Sequence, residues 1–183
     1  MRRRLLTVVT STFLAVSVAT VIGARPALAW NSSGCKWSTS AIGFYVPSPL
    51  ISYPVWSNAA ASWHGLDAHF VWNANPANFT GTNEARGNTV VWSGVTRRKG
   101  TVQDAPPCSG GRWVSGQMEV VLNWSVVSGY GAAKRQGVAA HELGHSFGLA
   151  HNPASAAILM YPYDTRTVTT PQADDRAGVN ALY

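Results

Sequence analysis

The chain has 183 residues and a formal net charge of +6, and four of its 14 basic residues lie within residues 1–29. The remaining 10 basic side chains balance 8 acidic ones, and their one cluster, Arg97-Arg98-Lys99, is typical of a solvated turn. This distribution lacks the basic patch of a nucleic-acid-binding protein, so we predict no nucleic-acid partner. The length suffices for one domain with a hydrophobic core.

Residues 1–29 have the organisation of a secretory signal peptide. Met1-Arg2-Arg3-Arg4 is basic, residues 5–23 are apolar, and Ala27-Leu28-Ala29 fits an A-x-A cleavage site. A retained membrane anchor is the alternative, but the apolar run is short and a cleavage site follows it. The pattern predicts cleavage before Trp30, a secreted product without stable membrane association, and one domain over residues 30–183.

Both cysteines, Cys35 and Cys108, lie after the predicted cleavage site. An even number of cysteines in an exported chain predicts a disulfide, which here would close a loop of roughly 70 residues. The alternative is a free thiol that binds a metal ion.

The predicted elements are short strands in the first half of the chain and two helices at its end, with one further helix among the strands. We predict strands at 41–46, 69–72, 89–92 and 118–123, helices at 53–66 and 132–149, and a last helix that opens at Thr170-Pro171. Residues 73–88 and 100–116 are rich in Gly and Pro and are predicted to be loops. This order predicts an α+β domain.

The long predicted helix carries the pattern His141-Glu142-Leu143-Gly144-His145, followed by Gly148 and His151. A helix turns every 3.6 residues, so His141 and His145 share one face and can bind a single Zn²⁺. Gly148 can adopt the left-handed conformation that ends a helix, after which His151 can point back as the third ligand. Three histidines leave a fourth position for water, as a catalytic zinc site requires.

Glu142 is offset by one position from the first ligand, which places it beside the metal rather than on it. There it can accept a proton from the attacking water and later deliver that proton to the leaving amine. A bare H-E-x-x-H occurs by chance, whereas the form extended to Gly148 and His151 is specific. The pattern therefore predicts a zinc-dependent endopeptidase. A secreted protein that binds zinc without catalysis is the alternative.

With Met160 in Ile158-Leu159-Met160-Tyr161-Pro162, this motif resembles the metzincins, and among them the matrixins. Leu-Met-Tyr-Pro is the matrixin form of the turn, and Pro162 stands where other metzincins have a Tyr that can ligate zinc. The resemblance spans most of residues 30–183 and is most specific from His141 onward. It implies a metzincin fold, a twisted mixed β-sheet with three helices, and an active-site cleft with one catalytic Zn²⁺.

The resemblance also implies roles for residues around the cleft. A peptide or protein substrate would pair with an edge strand, for which residues 118–123 or the strand before them are the candidates. Met160 would underlie the metal, and Tyr161-Pro162-Tyr163 would wall the pocket for the residue after the scissile bond. Asp174 or Asp175 would pair with the ammonium group of Trp30 or, equally, act as a charge at the start of the helix. We expect a monomer.

Further metal ions have little support in the sequence. His64, Asp67 and His69 are a weak candidate for a second Zn²⁺, since lone histidines more often serve in packing or on the surface. The acidic metal-binding loops of the matrixins are not recognisable, so structural Ca²⁺ is equally unsupported.

Overall fold

The computed structural model describes residues 30–48 and 53–183, and the predicted signal peptide lies outside this part of the chain. The described residues form an α+β arrangement built on a mixed five-stranded sheet, as predicted. Its elements, in chain order, are β1 (Ala41–Tyr45), α1 (Tyr53–Ala61), β2 (His69–Trp72), β3 (Phe79–Glu84), β4 (Gly94–Arg98), β5 (Cys108–Ser109), β6 (Arg112–Trp113), β7 (Met118–Asn123), α2 (Trp124–Val127), α3 (Ala132–Phe147) and α4 (Ala173–Leu182).

The sheet has the strand order β2-β1-β3-β7-β4, and only β4 runs antiparallel to its neighbour. Parallel strands are normally covered on both faces, and β7 is buried along its whole length. The helix α3 contacts β4, β7 and α1. This packing places the helix that carries the histidine motif against the open edge of the sheet.

The edge strand beside α3 is β4, so the candidate Met118–Asn123 is wrong. That strand is β7, and it lies inside the sheet between β3 and β4. The second candidate was the preceding strand, predicted at residues 89–92. The edge strand does precede β7 in the chain, but it is β4, at Gly94–Arg98. Residues 89–91 form a bend, Trp92 has no regular structure, and Val91 is fully exposed at 103%. The β-branched and aromatic composition of these residues favours a strand, but β4 begins two residues later, where β7 offers a partner.

The strand β3 corrects the predicted loop over residues 73–88. It pairs in parallel with β7 from Phe79↔Met118 to Glu84↔Asn123, and so lies in the centre of the sheet. Gly81 in its middle is required by packing, because a Cβ there would lie 2.8 Å from Cε2 of Phe44. The glycine that makes β3 fit the core also makes its sequence look like a loop.

The helix boundaries differ in detail from the prediction. The helix α1 ends at Ala61 rather than at residue 66, and α3 ends at Phe147. Helix α4 begins at Ala173 with Gln172 as its N-cap, not at Thr170-Pro171. The reason is that the Asp175 carboxylate accepts the backbone N–H of Gln172 at 2.8 Å. Three helices agree with the prediction, and the four-residue α2 is an addition.

Buried aromatic side chains fix the position of α3. The indole N–H of Trp63 donates to the carbonyl of Ala140 at 3.1 Å, and that of Trp37 donates to the carbonyl of Ser146 at 2.9 Å. The ring of Phe147 lies 4.3 Å from that of Phe70, between centroids. These contacts hold the helix from the side opposite the cleft and so orient its histidines.

The predicted disulfide between Cys35 and Cys108 is present, and the described residues contain no free cysteine. Cys108 begins the small β5–β6 hairpin, which lies in the interval 100–116 that was predicted to be a loop. Lys36 forms a bridge with Arg112, whose guanidinium donates to the carbonyl of Trp37 at 2.9 Å. The disulfide therefore ties the N-terminal segment of the domain to the hairpin.

Replacing Cys35 and Cys108 together by Ser should lower the free energy of unfolding by up to about 4 kcal/mol, because the bond closes a separation of 73 residues in the unfolded chain. Urea unfolding of the variant and of the oxidised wild-type protein measures this difference. Reduced wild-type protein is the control and should match the variant. Equal stability of the variant and the oxidised protein would contradict the structural role of the bond.

Candidate metal centre and active site

The three predicted ligands converge at the end of α3. His141 and His145 lie one turn apart on the helix, which ends at Gly148 with φ 112°. The N–H of Gly148 donates to the carbonyl of His145 at 2.9 Å, and that of Leu149 to the carbonyl of Gly144 at 3.1 Å. Because the chain reverses here, His151 returns to the other two, and the ligand atoms of all three histidines lie within 4.8 Å of one another.

Backbone carbonyls orient two of the imidazole rings. Nδ1 of His141 lies 2.7 Å from the carbonyl oxygen of Leu159, and Nδ1 of His145 lies 2.8 Å from that of Leu149. A carbonyl can only accept, so each Nδ1 carries the proton and each Nε2 keeps its lone pair. Nε2 of His141 lies 3.2 Å from Nε2 of His151. The two helical rings thus direct unprotonated Nε2 atoms towards the region in which His151 lies.

Desolvation favours the neutral form of the imidazoles, and His151 is the most exposed of the three. Desolvation lowers the pKa of His141 well below 6.5, lowers that of His145 to about 4 and also lowers that of His151. For His145 the neighbouring charge of His151 adds to the effect. Neutral imidazole is the form that binds metal, and three such nitrogens fit the ligand preference of Zn²⁺.

Glu142 lies beside these nitrogens and is only 6% exposed. Burial raises its pKa to about 7, although a hydrogen bond from Thr96 opposes this shift. The Thr96 hydroxyl lies 3.0 Å from Oε2 and 2.8 Å from the carbonyl oxygen of Glu142. Gly94 allows this approach of β4, since a Cβ there would lie 2.7 Å from Cγ of Glu142. A carboxyl group that titrates near neutrality can both accept and return a proton.

The turn around Met160 packs beneath α3. A Cβ at Gly144 would contact the Met160 sulfur, so the absence of a side chain at Gly144 lets the thioether approach the helix. Asp175 accepts the backbone N–H groups of Leu159 and Met160 at 3.0 Å each and is 1% exposed. This carboxylate therefore holds the turn whose Leu159 carbonyl orients His141.

The two alternatives for Asp174 and Asp175 can be compared with these contacts. Asp175 makes its hydrogen bonds to backbone N–H groups, including the Gln172 N–H at the start of α4, and Asp174 accepts from the Asn152 amide at 2.8 Å. The helix-start role agrees with the first contact. The pairing with a Trp30 ammonium group stays a prediction.

Two cavities meet at the histidines. The larger has a volume of about 620 Å³ and the smaller about 290 Å³, and they share Trp92, Gly94, Glu142 and His151. The larger cavity is bounded by β4, the disulfide and the hairpin. The smaller one is bounded by Pro162 and Tyr163, two of the three predicted wall residues. Together they form a cleft along β4 with Glu142 at its middle.

The zinc ligands and Glu142 share a local motif that the sequence reveals, whereas other residues reach the site from distant segments without such a pattern. His64, Asp67 and His69 form no metal-ligand group, since within residues 30–48 and 53–183 only the three histidines of the motif do so. Thr96, which bonds to Glu142, and Arg166, which lines the smaller cavity, carry no sequence signature. A Thr in an edge strand and an Arg after the Met160 turn become informative only once β4 and that turn are placed against α3.

Fold and ligand geometry together define the metzincin class of zinc peptidase domain. Sequence comparison gives the family: the model described as Matrixin matches residues 63–183. This match covers more than half of the chain, which therefore belongs to the matrixins, a family of zinc metallopeptidases.

Other comparisons add the fold alone. Among solved structures, a chain of the GM1-bound form of the ECX AB5 holotoxin superposes with a TM-score of 0.52 at 13% identity, over 78% of this chain and 80% of that one. The search of curated proteins returned no significant match. In the described part of the chain, no helix has the length and apolar character needed to cross a membrane.

In the metal-free protein His145 should contribute a loss of stability as the pH falls from 6.5 towards about 4, whereas Glu142, with its pKa raised to about 7, contributes in the opposite direction. In the unfolded chain His145 takes up a proton near pH 6.5, whereas in the fold it stays neutral until about pH 4, so acid favours unfolding. The contribution is about 2–3 kcal/mol. Urea unfolding with a chelator across this range measures it. The His145→Gln variant is the control and should show a shallower pH dependence; parallel curves for the two proteins would contradict this assignment.

Proposed function

We propose that the protein is a secreted zinc-dependent endopeptidase. The observation that carries the proposal is the convergence of three neutral imidazoles and the buried carboxyl group of Glu142 on one cleft. Membership of the matrixins supports the chemical class. The open edge of β4 along the same cleft supports an extended peptide as the substrate.

In this proposal His141, His145 and His151 hold one Zn²⁺ through their Nε2 atoms. When bound, zinc supplies Lewis acidity that polarises the scissile carbonyl and acidifies a water molecule. The protein contributes the orientation of its ligands, because the carbonyls of Leu159 and Leu149 fix the tautomers of the two helical histidines.

Glu142 accepts the proton of the attacking water at a carboxylate oxygen and then donates it to the leaving amine. Its pKa of about 7 suits both steps, since the group can exist in either protonation state near neutral pH. The Thr96 hydroxyl lies against Oε2, so Oε1 remains for the proton transfer. In this role Thr96 is a positioning residue that acts through Glu142.

The backbone of β4 provides the place where a peptide would pair. Asn123 donates to the carbonyl of Ser93 at 2.8 Å, and Lys99 donates to that of Gln117 at 2.9 Å. Hydrogen-bonding direction alternates along an antiparallel strand, so the N–H and C=O groups of Gly94 and Thr96 face the cleft. A substrate that runs antiparallel to β4 has its residues before the scissile bond in the larger cavity and the following residue in the smaller one.

Two observations support action outside the cytoplasm. Residues 1–29 have the pattern of a signal peptide, and the Cys35–Cys108 disulfide is of the kind that persists in oxidising compartments. We therefore propose that the protein is exported. We also propose that it acts as a monomer on peptide or protein substrates and has no nucleic-acid partner.

Glu142→Gln should lower kcat/KM on a denatured protein substrate by at least about 100-fold, because the amide cannot accept the proton of the attacking water. The variant should keep its zinc, which elemental analysis measures. Asp104→Asn, which changes an exposed carboxylate, is the matched control and should leave cleavage unchanged.

A chelator should abolish cleavage by the wild-type protein, and added zinc should restore it. Cleavage that survives the chelator or the Glu142→Gln change would contradict the proposed mechanism. Zinc binding by the wild-type protein without cleavage of any substrate would instead support the non-catalytic alternative.

A further inference from the structure

The smaller cavity is lined by a hydrogen-bonded set of polar side chains that the mechanism does not use. The set consists of Tyr130, Asp164 and Arg166. The Tyr130 hydroxyl donates to Oδ2 of Asp164 at 2.8 Å, and Nη2 of Arg166 donates to Oδ1 at 3.1 Å. All three residues line the cavity of about 290 Å³ together with Glu142 and His151.

The guanidinium group of Arg166 is held firmly in the cavity wall. Its Nη1 donates to the carbonyls of Tyr161 at 3.2 Å and Tyr163 at 3.4 Å, and its side chain is only 6% exposed. A guanidinium has five N–H donors. The three hydrogen bonds to the residues that the structure describes use at most three of these donors. The group is therefore rigidly placed and still has donors for a ligand.

Among the described residues, Arg166 is the one Arg or Lys side chain that lines this cavity. Asp164 meets it through a single hydrogen bond at 3.1 Å rather than a bidentate pair, and the same carboxylate also accepts from the Tyr130 hydroxyl. Asp164 therefore does not use up the donors of the guanidinium, and a carboxylate that enters the cavity meets a cation.

The other half of the cleft has a different character. Beyond Glu142 and the histidines, the larger cavity is lined mainly by apolar side chains, among them Val95, Pro106, Trp113 and Leu149. Within residues 30–48 and 53–183, no Arg, Lys or Asp side chain lines it. Arg166 and Asp164 therefore lie only on the side of the cleft that would receive the residue after the scissile bond.

We propose that Arg166 is a specificity residue, and that it selects substrates whose residue after the scissile bond ends in a carboxylate, in preference to a neutral amide. This proposal rests on the proposed endopeptidase function. A carboxylate would form charge-assisted hydrogen bonds with the unused N–H donors. A lysine at the same position would bring a like charge against a buried cation and would be rejected.

The test uses peptides that differ only at the residue after the scissile bond, which is Glu, Gln, Leu or Lys. For the wild-type protein we expect kcat/KM for Glu to exceed that for its isostere Gln by about 10-fold, with Lys the poorest substrate. Mass spectrometry of the products confirms the bond that is cut.

Three variants separate charge recognition from structural damage. Arg166→Gln should bring the Glu-to-Gln ratio to about one, and Arg166→Lys should keep part of it. Asp164→Asn removes the compensating carboxylate and should raise the ratio. A merely structural role would lower cleavage of all four peptides together and leave the ratio unchanged in every variant.

The outcomes distinguish this proposal from the proposed function. Efficient cleavage of all four peptides with a wild-type Glu-to-Gln ratio near one would overturn the role of Arg166 and leave the peptidase standing. The same holds if Arg166→Gln keeps the wild-type ratio. Failure of the wild-type protein to cut these peptides and denatured protein substrates would overturn both proposals.

Discussion

The left-handed turn at Gly148 is the constraint on which the site depends. If α3 continued, residue 151 would be rotated about 120° away from His145 around the helix axis, and its ring would leave the group. Instead the chain turns at φ 112°, where only glycine is readily accommodated. A Cβ at this position would also collide with the carbonyl oxygen of Cys35, and Ser33 donates to the Gly148 carbonyl at 2.8 Å. The N-terminal segment therefore packs directly onto the turn that brings in the third imidazole.

Residues from distant positions in the chain hold α3 and its side chains in place. Asp175 holds the Leu159–Met160 backbone, and through the Leu159 carbonyl it fixes the ring of His141. On the opposite side, Thr96 reaches Glu142 because Gly94 lets β4 come close. Small residues in two elements, Gly94 and Gly144, provide the space for these contacts. The arrangement explains how a short motif becomes a site with fixed geometry.

The sequence predicted the parts of this arrangement that depend on local spacing. The helix with His141 and His145 and the turn at Gly148 follow from helical periodicity and from the conformational freedom of glycine. The disulfide follows from the cysteine count. The central strand β3 could not be predicted, because Gly81 weakens its local preference and only the pairing with β1 and β7 makes it a strand. The edge strand was misplaced for the same reason: strand order is set by long-range partners.

The residues that surround the motif in the fold could not be predicted from local sequence patterns either. Asp175 could be predicted as a charge at the start of a helix, but its hydrogen bonds to Leu159 and Met160 join segments that only the fold brings together. Arg166 follows the Met160 turn without any spacing that marks it as a cavity residue. Contacts between distant segments can be recognised only in the folded structure, whereas ligands on one helix can be recognised from their spacing in the sequence.

X-ray absorption at the zinc edge of the purified protein tests the central claim most directly. We predict one zinc per chain with three imidazole nitrogens at about 2.0–2.1 Å and a fourth light scatterer, and outer-shell imidazole scattering that falls from three rings to two in a His151→Phe variant. A sulfur ligand at about 2.3 Å, or imidazole scattering that is unchanged in that variant, would contradict the account in which the turn at Gly148 completes the site.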